Sequence, residues 1–341
     1  MNPEPTGTPT RIAVVSGGVG AARFLAGLID AIADLDDVAG PAAITAIVNT
    51  GDDCTLHGLS ISPDLDTVTY TLAGAIDPER GWGLVDESWR AMESLERYES
   101  VRPDGSRAAP RWFNLGDRDL ATHFFRTARL AEGASLTEVA DEIRRAWKVP
   151  IRIVPMSDDR LSTIVTITDE LGHAVDVSFQ DYFVRLRHSV PVTSIRFDGA
   201  AELADDAHQA LESAHTIVIA PSNPIVSIGP IRTLPGVDAL LAQRRERTVA
   251  VSPIVGGAAL KGPADRMLTE LGHDASVVGI ARLYAPIASV LIIDPVDADF
   301  VDDVEAEGMR CVVTPSVMST PDRARELASV TVRSLQPGST V

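Results

Sequence analysis

Three sets of loop residues have the types and spacing to act on a phosphorylated substrate. The first is Ser16-Gly17-Gly18-Val19-Gly20, which directly follows the apolar run RIAVVS at 11–16. Glycines between a strand and a helix let successive backbone N–H groups converge on an anion at the helix N-terminus. The dinucleotide fingerprint G-x-G-x-x-G is not met. Counting from Gly18, its third glycine position is Arg23, a long cation where close helix–sheet packing wants no side chain. The G-K-[ST] ending of a Walker A loop is also missing. The expected role of Gly17, Gly18 and Gly20 is a phosphate nest, set against the plainer reading of a glycine-rich tight turn.

The second set is acidic. Asn49-Thr50-Gly51-Asp52-Asp53 follows the apolar run AITAIV at 43–48. Two adjacent carboxylates beside a phosphate loop suit Mg²⁺, which takes oxygen ligands and commonly uses one or two carboxylates plus substrate phosphates. An Asp-rich surface turn is the alternative for Asp52 and Asp53. Ser62-Pro63-Asp64-Leu65-Asp66-Thr67 reads as a helix start, with Ser62 as N-cap and Pro63 in the first turn. The helix dipole accounts for Asp64 well and for Asp66 less fully, so Asp66 is assigned to a shared polar site. Gly116-Asp117-Arg118-Asp119 precedes another helix. It either caps and pairs locally or grips a polar ligand, and Pro155–Arg160 is similarly a turn or a lip of the site.

The third set lies in the C-terminal half, at Pro221–Pro230 and Ser252–Gly257. Both are small, polar, proline-bounded loops after apolar strands, where nucleotide-binding loops of α/β sheets occur. Ser222, Asn223, Ser227, Ser252 and Gly256 are the candidate contacts. The seven histidines show no H-E-x-x-H spacing, and His57 is expected at the surface. There is no G-x-S-x-G elbow, and Cys54 has no evident partner base, so covalent catalysis is not supported. Trp82 and Trp112 flank the acidic segments and suit either stacking on an aromatic ligand or packing of a lid.

These loops need a scaffold that brings strand ends together. The apolar runs at 11–16 and 43–48 recur as HTIVIA (215–220), RTVAVS (247–252), SVLIID (289–294) and MRCVVT (309–314), separated by helical stretches. Strands alternating with helices indicate an α/β fold, a Rossmann-like doubly wound and mainly parallel sheet. Residues 80–148 read as helical, with a capping box at Ser135 and Glu138. Residues 151–198 read as β-structure, including LSTIVTITD and HAVDVSFQ joined by a short turn. The expected organisation is a disordered tail at 1–10, a core of 11–79 and 199–341, and an inserted helical and β cap region at 80–198. GSRAAP at 105–110 reads as a surface loop.

Composition narrows the partners. The chain has 341 residues, 45% hydrophobic and 23% charged, which suits a folded protein with a substantial core. Its 30 basic and 48 acidic residues give −18, which argues against nucleic acid or an anionic membrane surface as partner. No apolar window is long enough to span a membrane, and MNPEPTGTPT lacks the basic and apolar parts of a secretory signal. With two cysteines only, a disulfide framework or a Cys-based zinc site is not expected, and a reducing cytoplasm is the default.

In order, SGGVGAARFLAGL, VNTGDD, ISPDLDTVTYTLAG, GWG, LGDRDLATH, PMSDDR, FQDYFVR, APSNPIVSIGPI and VSPIVGG resemble the 2-phospho-L-lactate transferase family of coenzyme F-420 biosynthesis, over about 11–330. The actinobacterial branch, described as phosphoenolpyruvate transferase, looks nearest. The resemblance implies a Mg²⁺-dependent transfer (class EC 2.7.8) from a guanosine-diphosphate-linked phospholactate or phosphoenolpyruvate. The acceptor is the ribityl hydroxyl of the deazaflavin Fo, and GMP is released. It further implies Fo contacts by Asp66 (or Asp64) and Arg118, catalytic roles for Asp66 and Arg118, and a homodimer. Metal is assigned to Asp52 or Asp53, the choice left open because Gly51-Asp52-Asp53 departs from the archaeal pattern. Two alternatives are a non-catalytic nucleotide-sugar-binding regulator of the same fold, which is not expected to carry both P-D-L-D-T and G-D-R-D, and a dehydrogenase, which Arg23 argues against.

Overall fold

The computed structural model describes residues 10–35, 40–104, 106, 108–110 and 112–335. Residues 1–9 of the expected tail, and positions 105 and 107 of the 105–110 loop, lie outside the described residues. The chain opens with β1 (Ile12–Ser16), α1 (Val19–Ala31) and β2 (Ile44–Val48). A hairpin of β3 (Cys54–Leu56) and β4 (Leu59–Ile61) leads into α2 (Pro63–Leu72). Next come α3 (Arg90–Glu99), α4 (Asp119–Ala131) and α5 (Leu136–Ala146). They are followed by β5 (Arg152–Pro155), β6 (Ser162–Thr168), β7 (Ala174–Ser178) and β8 (Val192–Asp198). The C-terminal half contains α6 (Asp205–Ser213), β9 (Thr216–Ile219), α7 (Gly229–Thr233), α8 (Val237–Gln243) and β10 (Thr248–Val251). A short hairpin of β11 (Ile254–Val255) and β12 (Ala258–Ala259) precedes α9 (Ala264–Glu270) and α10 (Val277–Tyr284). The last elements are β13 (Val290–Ile293), α11 (Val301–Ala306), β14 (Arg310–Val313) and α12 (Pro321–Arg333).

Seven strands form one sheet in the order β14-β13-β10-β9-β1-β2-β5, and each adjacent pair is parallel. Residues alternate between the two faces. Ala13 and Val15 pack with Ile217 and Ile219 against α6, α8 and α10. Ile12 and Val14 pack against Phe24, Leu25 and Leu28 of α1 and Leu327 of α12. With both faces covered, each strand must be apolar throughout, which is why these strands read as continuous hydrophobic runs. The expected Rossmann-like doubly wound sheet is the observed one. Chain direction across the sheet reverses between β1 and β9, so the crevice for a ligand lies beyond their carboxyl ends.

The 80–198 stretch departs from the expected single insertion. Arg152–Pro155 within it is the edge strand of the central sheet, paired with β2 from Thr45↔Arg152 to Val48↔Pro155. This four-residue run leads into a β-rich segment, so local pattern merges it with its neighbours. The remainder falls into two parts. The helical part joins the β3–β4 hairpin through Leu56, Ile61, Leu115 and Leu120. The antiparallel sheet β7-β6-β8 packs through Val165, Tyr182 and Val192 onto Val226 and Met267. The capping box of α5 is present: Ser135 Oγ accepts from Glu138 N, and Glu138 Oε2 accepts from Ser135 N at 2.8 Å. Among the described residues, no helix is long and apolar enough to cross a membrane.

Candidate active site

The turn from β1 into α1 opens onto a cavity of about 940 Å³ lined by Gly18, Val19 and Gly20. The first turn of α1 carries no side-chain cap and no acidic residue. Its N–H groups and the positive end of its dipole therefore favour an anion in the cavity. None of Gly17, Gly18 and Gly20 has a positive φ. Close approach is what demands glycine: a Cβ on Gly18 would fall on Asp64 Oδ1, and one on Gly20 on the Pro221 carbonyl oxygen. At Gly17 a Cβ would sit 2.5 Å from that of Ser227.

The acids behind this nest are sorted by the end of β2. Asn49 Nδ2 donates to Asp64 Oδ2 at 3.0 Å, while Asn49 Oδ1 accepts from Gly51 N at 2.9 Å. Asp52 and Asp64 both line the large cavity. Asp52 is buried, and its Oδ1 has no hydrogen-bond partner among the described residues. Burial, then the charges of Asp64 and Asp53, push its carboxyl well above the ordinary range. Burial pushes Asp64 up to about 6, with the Asn49 hydrogen bond working against it. An unpartnered buried carboxylate oxygen beside a second strained acid is an arrangement that a hard cation relieves. Asp52 and Asp64 therefore fit Mg²⁺.

Asp53 is placed elsewhere. It lines a separate cavity of about 150 Å³ with Cys54, Asp158 and Arg160, and its Oδ2 accepts from Ser62 Oγ at 2.6 Å. Asp52 and Asp53 thus line different cavities, with Asp64 sharing that of Asp52, although Asp53 Oδ1 is likewise without a partner among the described residues. Ser62 stands at the N-cap position of α2 but makes no capping bond with its side chain, because its hydroxyl is engaged by Asp53. Burial, with the Asp53 charge, pushes the Cys54 thiol up to about 12, which removes it as a nucleophile.

Asp66 reaches the large cavity at the centre of a buried network. Arg126 grips both of its oxygens, Nη1 to Oδ2 at 3.1 Å and Nη2 to Oδ1. Burial works against the Arg126 charge, but Asp66 holds its pKa above the ordinary value. Arg126 Nη1 also lies 3.3 Å from His123 Nδ1. A guanidinium only donates, so Nδ1 accepts and the ring proton sits on Nε2, which is 3.3 Å from Asp119 Oδ2. Tyr70 Oη donates to Asp119 Oδ1 at 2.6 Å. Burial opposes ionisation of Asp119, yet the bonds from His123 and Tyr70 keep its pKa below the ordinary value. Ligand atoms of Asp66, Asp119 and His123 lie within 4.8 Å of one another, a spacing that suits a metal. The Arg126 guanidinium already supplies the cation there, and a metal beside it would be repelled.

Arg118 lies away from the position expected of an acceptor contact. Its side chain is exposed and lines neither cavity; Nη1 donates to Val85 O at 2.7 Å, and its backbone N donates to Glu87 Oε2 at 2.9 Å. The segment around it splits by role. Asp117 accepts from the backbone N–H groups of Arg90 and Ala91 at the start of α3, and Asp119 faces the large cavity.

Ser222, Asn223 and Ser227 line the cavity next to the nest. Ser222 Oγ accepts from Gly17 N at 3.2 Å, and Asn223 Oδ1 accepts from Ile225 N at 2.9 Å, which fixes the loop. Ser252 also lines the cavity, although its hydroxyl closes a turn by donating to Ile254 O at 2.8 Å. Gly256 does not line it: its N–H is taken by the Asp297 carboxylate at 2.9 Å. Trp82 and Trp112 both line the cavity, together with Phe113, Phe179 and Phe183. Phe179 and Phe183 stack at 5.4 Å between centroids with 19° between planes. Sequence reasoning missed Asn49, Tyr70, His123, Arg126 and Gln180, which donates to Asp52 O at 3.2 Å. The signal for two of them was present: Asp119, His123 and Arg126 recur at helical spacing on α4.

A family pattern described as 2-phospho-L-lactate transferase CofD matches residues 12–322. A protein from Streptomyces griseus named phosphoenolpyruvate transferase is 42% identical over 321 residues, covering 93% of this chain and 96% of that protein. One of the same name from Mycobacterium tuberculosis is 39% identical over 327 residues, with 93% and 96% covered. Among solved structures, protein BH3568 from Bacillus halodurans superposes with a TM-score of 0.58 at 15% identity, over 95% of this chain and 100% of that one. That likeness bears on the fold alone. The extent of the family match, with relatives near this identity along the whole length, supports a transferase. The chain belongs to the 2-phospho-L-lactate transferase family.

Proposed function

We propose that this chain transfers a phosphoenolpyruvyl group, or its phospholactyl counterpart, from a guanosine-diphosphate-linked donor to the ribityl hydroxyl of the deazaflavin Fo. The names of the relatives favour the enolpyruvyl donor. The observation that carries the reading is that one cavity joins the uncapped α1 N-terminus, the acids Asp52 and Asp64, and an aromatic wall. These are the parts needed for a diphosphate, its cation and a flat ring.

Transfer of this kind rests on positioning and charge neutralisation. The N–H groups at Gly18–Gly20 would hold donor phosphate oxygens, and Ser222, Asn223, Ser227 and Ser252 would bind the guanosine side. Asp52 and Asp64 would hold Mg²⁺, which supplies charge neutralisation on the diphosphate when bound. Trp82, Trp112, Phe179 and Phe183 offer faces for the deazaflavin ring. Asp66 would receive the acceptor hydroxyl. Its oxygen attacks the phosphorus bearing the enolpyruvyl group, the bond from that phosphorus to the GMP oxygen breaks, and the hydroxyl proton passes to the Asp66 carboxylate. Arg118 would serve the acceptor end indirectly, by anchoring the loop that presents Trp82.

The test is a binding and release assay with the full chain. Fo binding followed by stoichiometric GMP release on addition of donor and Mg²⁺ is expected. Fo or donor binding without GMP release would instead assign a nucleotide-binding regulator.

A further inference from the structure

We infer that Arg126 and His123, one turn apart on α4, are positioning residues that hold the Asp66 and Asp119 carboxylates in fixed orientation at the cavity wall. The inference rests on the reading that an acceptor hydroxyl is received at Asp66. Arg126 is 2% exposed and lines neither cavity, so its charge does not reach a substrate. A buried ion pair is a poor device for stability alone, since an apolar pair of similar volume often does as well. What the guanidinium adds is direction. Its fork spans both Asp66 oxygens, and a further contact to Ser60 O at 3.3 Å ties it to β4.

Asp66 therefore cannot turn about its terminal torsion. A carboxylate has about four lone-pair sites, and two are engaged from behind by Arg126. The rest are left for the cavity. Asp119 accepts from Tyr70 Oη on one oxygen, and His123 Nε2 lies 3.3 Å from the other without a hydrogen bond of good geometry. His123 links the two carboxylates: its Nδ1 takes the Arg126 proton donor, and its Nε2–H faces Asp119. Nδ1 is committed to Arg126, which fixes the ring of His123 beside Asp119.

The experiment compares full-length wild type with Arg126→Lys, Arg126→Met, His123→Gln and the double variant Asp66→Asn/Arg126→Met. Lysine keeps the charge without the fork, and glutamine keeps a donor toward Asp119 without the Nδ1 acceptor. Displacing a reacting group by about 1 Å can lower a rate ~100-fold. Arg126→Lys is accordingly expected to lose ~100-fold in kcat with the donor KM unchanged, and His123→Gln about tenfold. The double variant should regain the thermal stability that Arg126→Met loses, but not its activity. Lysine and glutamine variants with wild-type kcat per folded molecule would overturn the inference. Should the Arg126 variants fail to fold, His123→Gln and the ring ¹⁵N spectrum of wild type decide: a bare Nδ1 with protonated Nε2 supports the arrangement, and a protonated Nδ1 contradicts it. Wild type inactive with every donor would sink the transferase reading instead, leaving the ¹⁵N spectrum to test the network.

Discussion

Asp64 occupies the space that a side chain on Gly18 would need, and so seats an acidic residue against the backbone of the α1 N-terminus. The anion-binding end of one helix and the acidic start of another thereby share a single wall of the cavity. Gly18→Ala should displace Asp64 from Asn49. Supporting contacts to metal-binding groups typically contribute 10- to 100-fold in affinity. The Mg²⁺ concentration for half-maximal turnover should rise about tenfold or more, while thermal melting shows a folded protein. An unchanged Mg²⁺ requirement would separate Asp64 from the metal.

The division between Asp52 and Asp53 gives a second prediction. Asp52→Asn should lower Mg²⁺-dependent turnover by more than ~100-fold, because it removes a negative charge beside Asp64 in the large cavity. Asp53→Asn should leave turnover near wild type, since an amide oxygen can still accept from Ser62. Its effect should appear as a stability change of about 1 kcal/mol, read by denaturant unfolding. Equal loss in both variants would contradict the assignment.

Asp64 also makes stability depend on pH. Its carboxyl is raised from 3.8 to about 6 chiefly by burial, so the folded state keeps a proton that the unfolded chain has released. The stabilisation is complete below pH 3.8 and is lost as pH rises through about 6, a change of about 3 kcal/mol. Unfolding of metal-free wild type minus Asp64→Asn, followed across this window, should show that decline. Mg²⁺ should offset it at neutral pH by favouring the carboxylate. A flat difference would show that Asp64 is solvated.

Arg118 should act through the loop that it anchors. Arg118→Ala breaks the bond to Val85 O, close in sequence to the cavity residues Trp82 and Gly83. The expected result is a several-fold rise in the acceptor KM with kcat and donor KM little changed, measured by steady-state kinetics. A collapse of kcat would place the guanidinium at the reacting atoms.

The sheet was legible because strands buried on both faces must be continuously apolar, and β1, β2, β9, β10 and β13 all show it. β5 was read within the β-structure of 151–198 but not as a strand of the central sheet, because four residues beside a longer β pattern carry too little periodicity to stand apart. In the site, Gly18, Asp52 and Ser222 were readable from their position after core strands, whereas Asp64 read as an ordinary helix-start acid. Arg126 shares helical spacing with Asp119 and His123, but its pairing with Asp66, 60 residues away, has no local signal. Gly256 shows the converse error, since nothing local reveals that Asp297 takes its N–H. Local pattern reports what one element needs, whereas these pairings are decided by which elements the sheet brings together.

The most direct test of the central claim is the mass of the product formed from Fo by the full chain with Mg²⁺ and each donor in turn. The account predicts an Fo adduct carrying the phosphoenolpyruvyl group with the enolpyruvyl donor, and one molecule of GMP per adduct. GMP release with unmodified Fo, or no change in Fo with either donor, would contradict it.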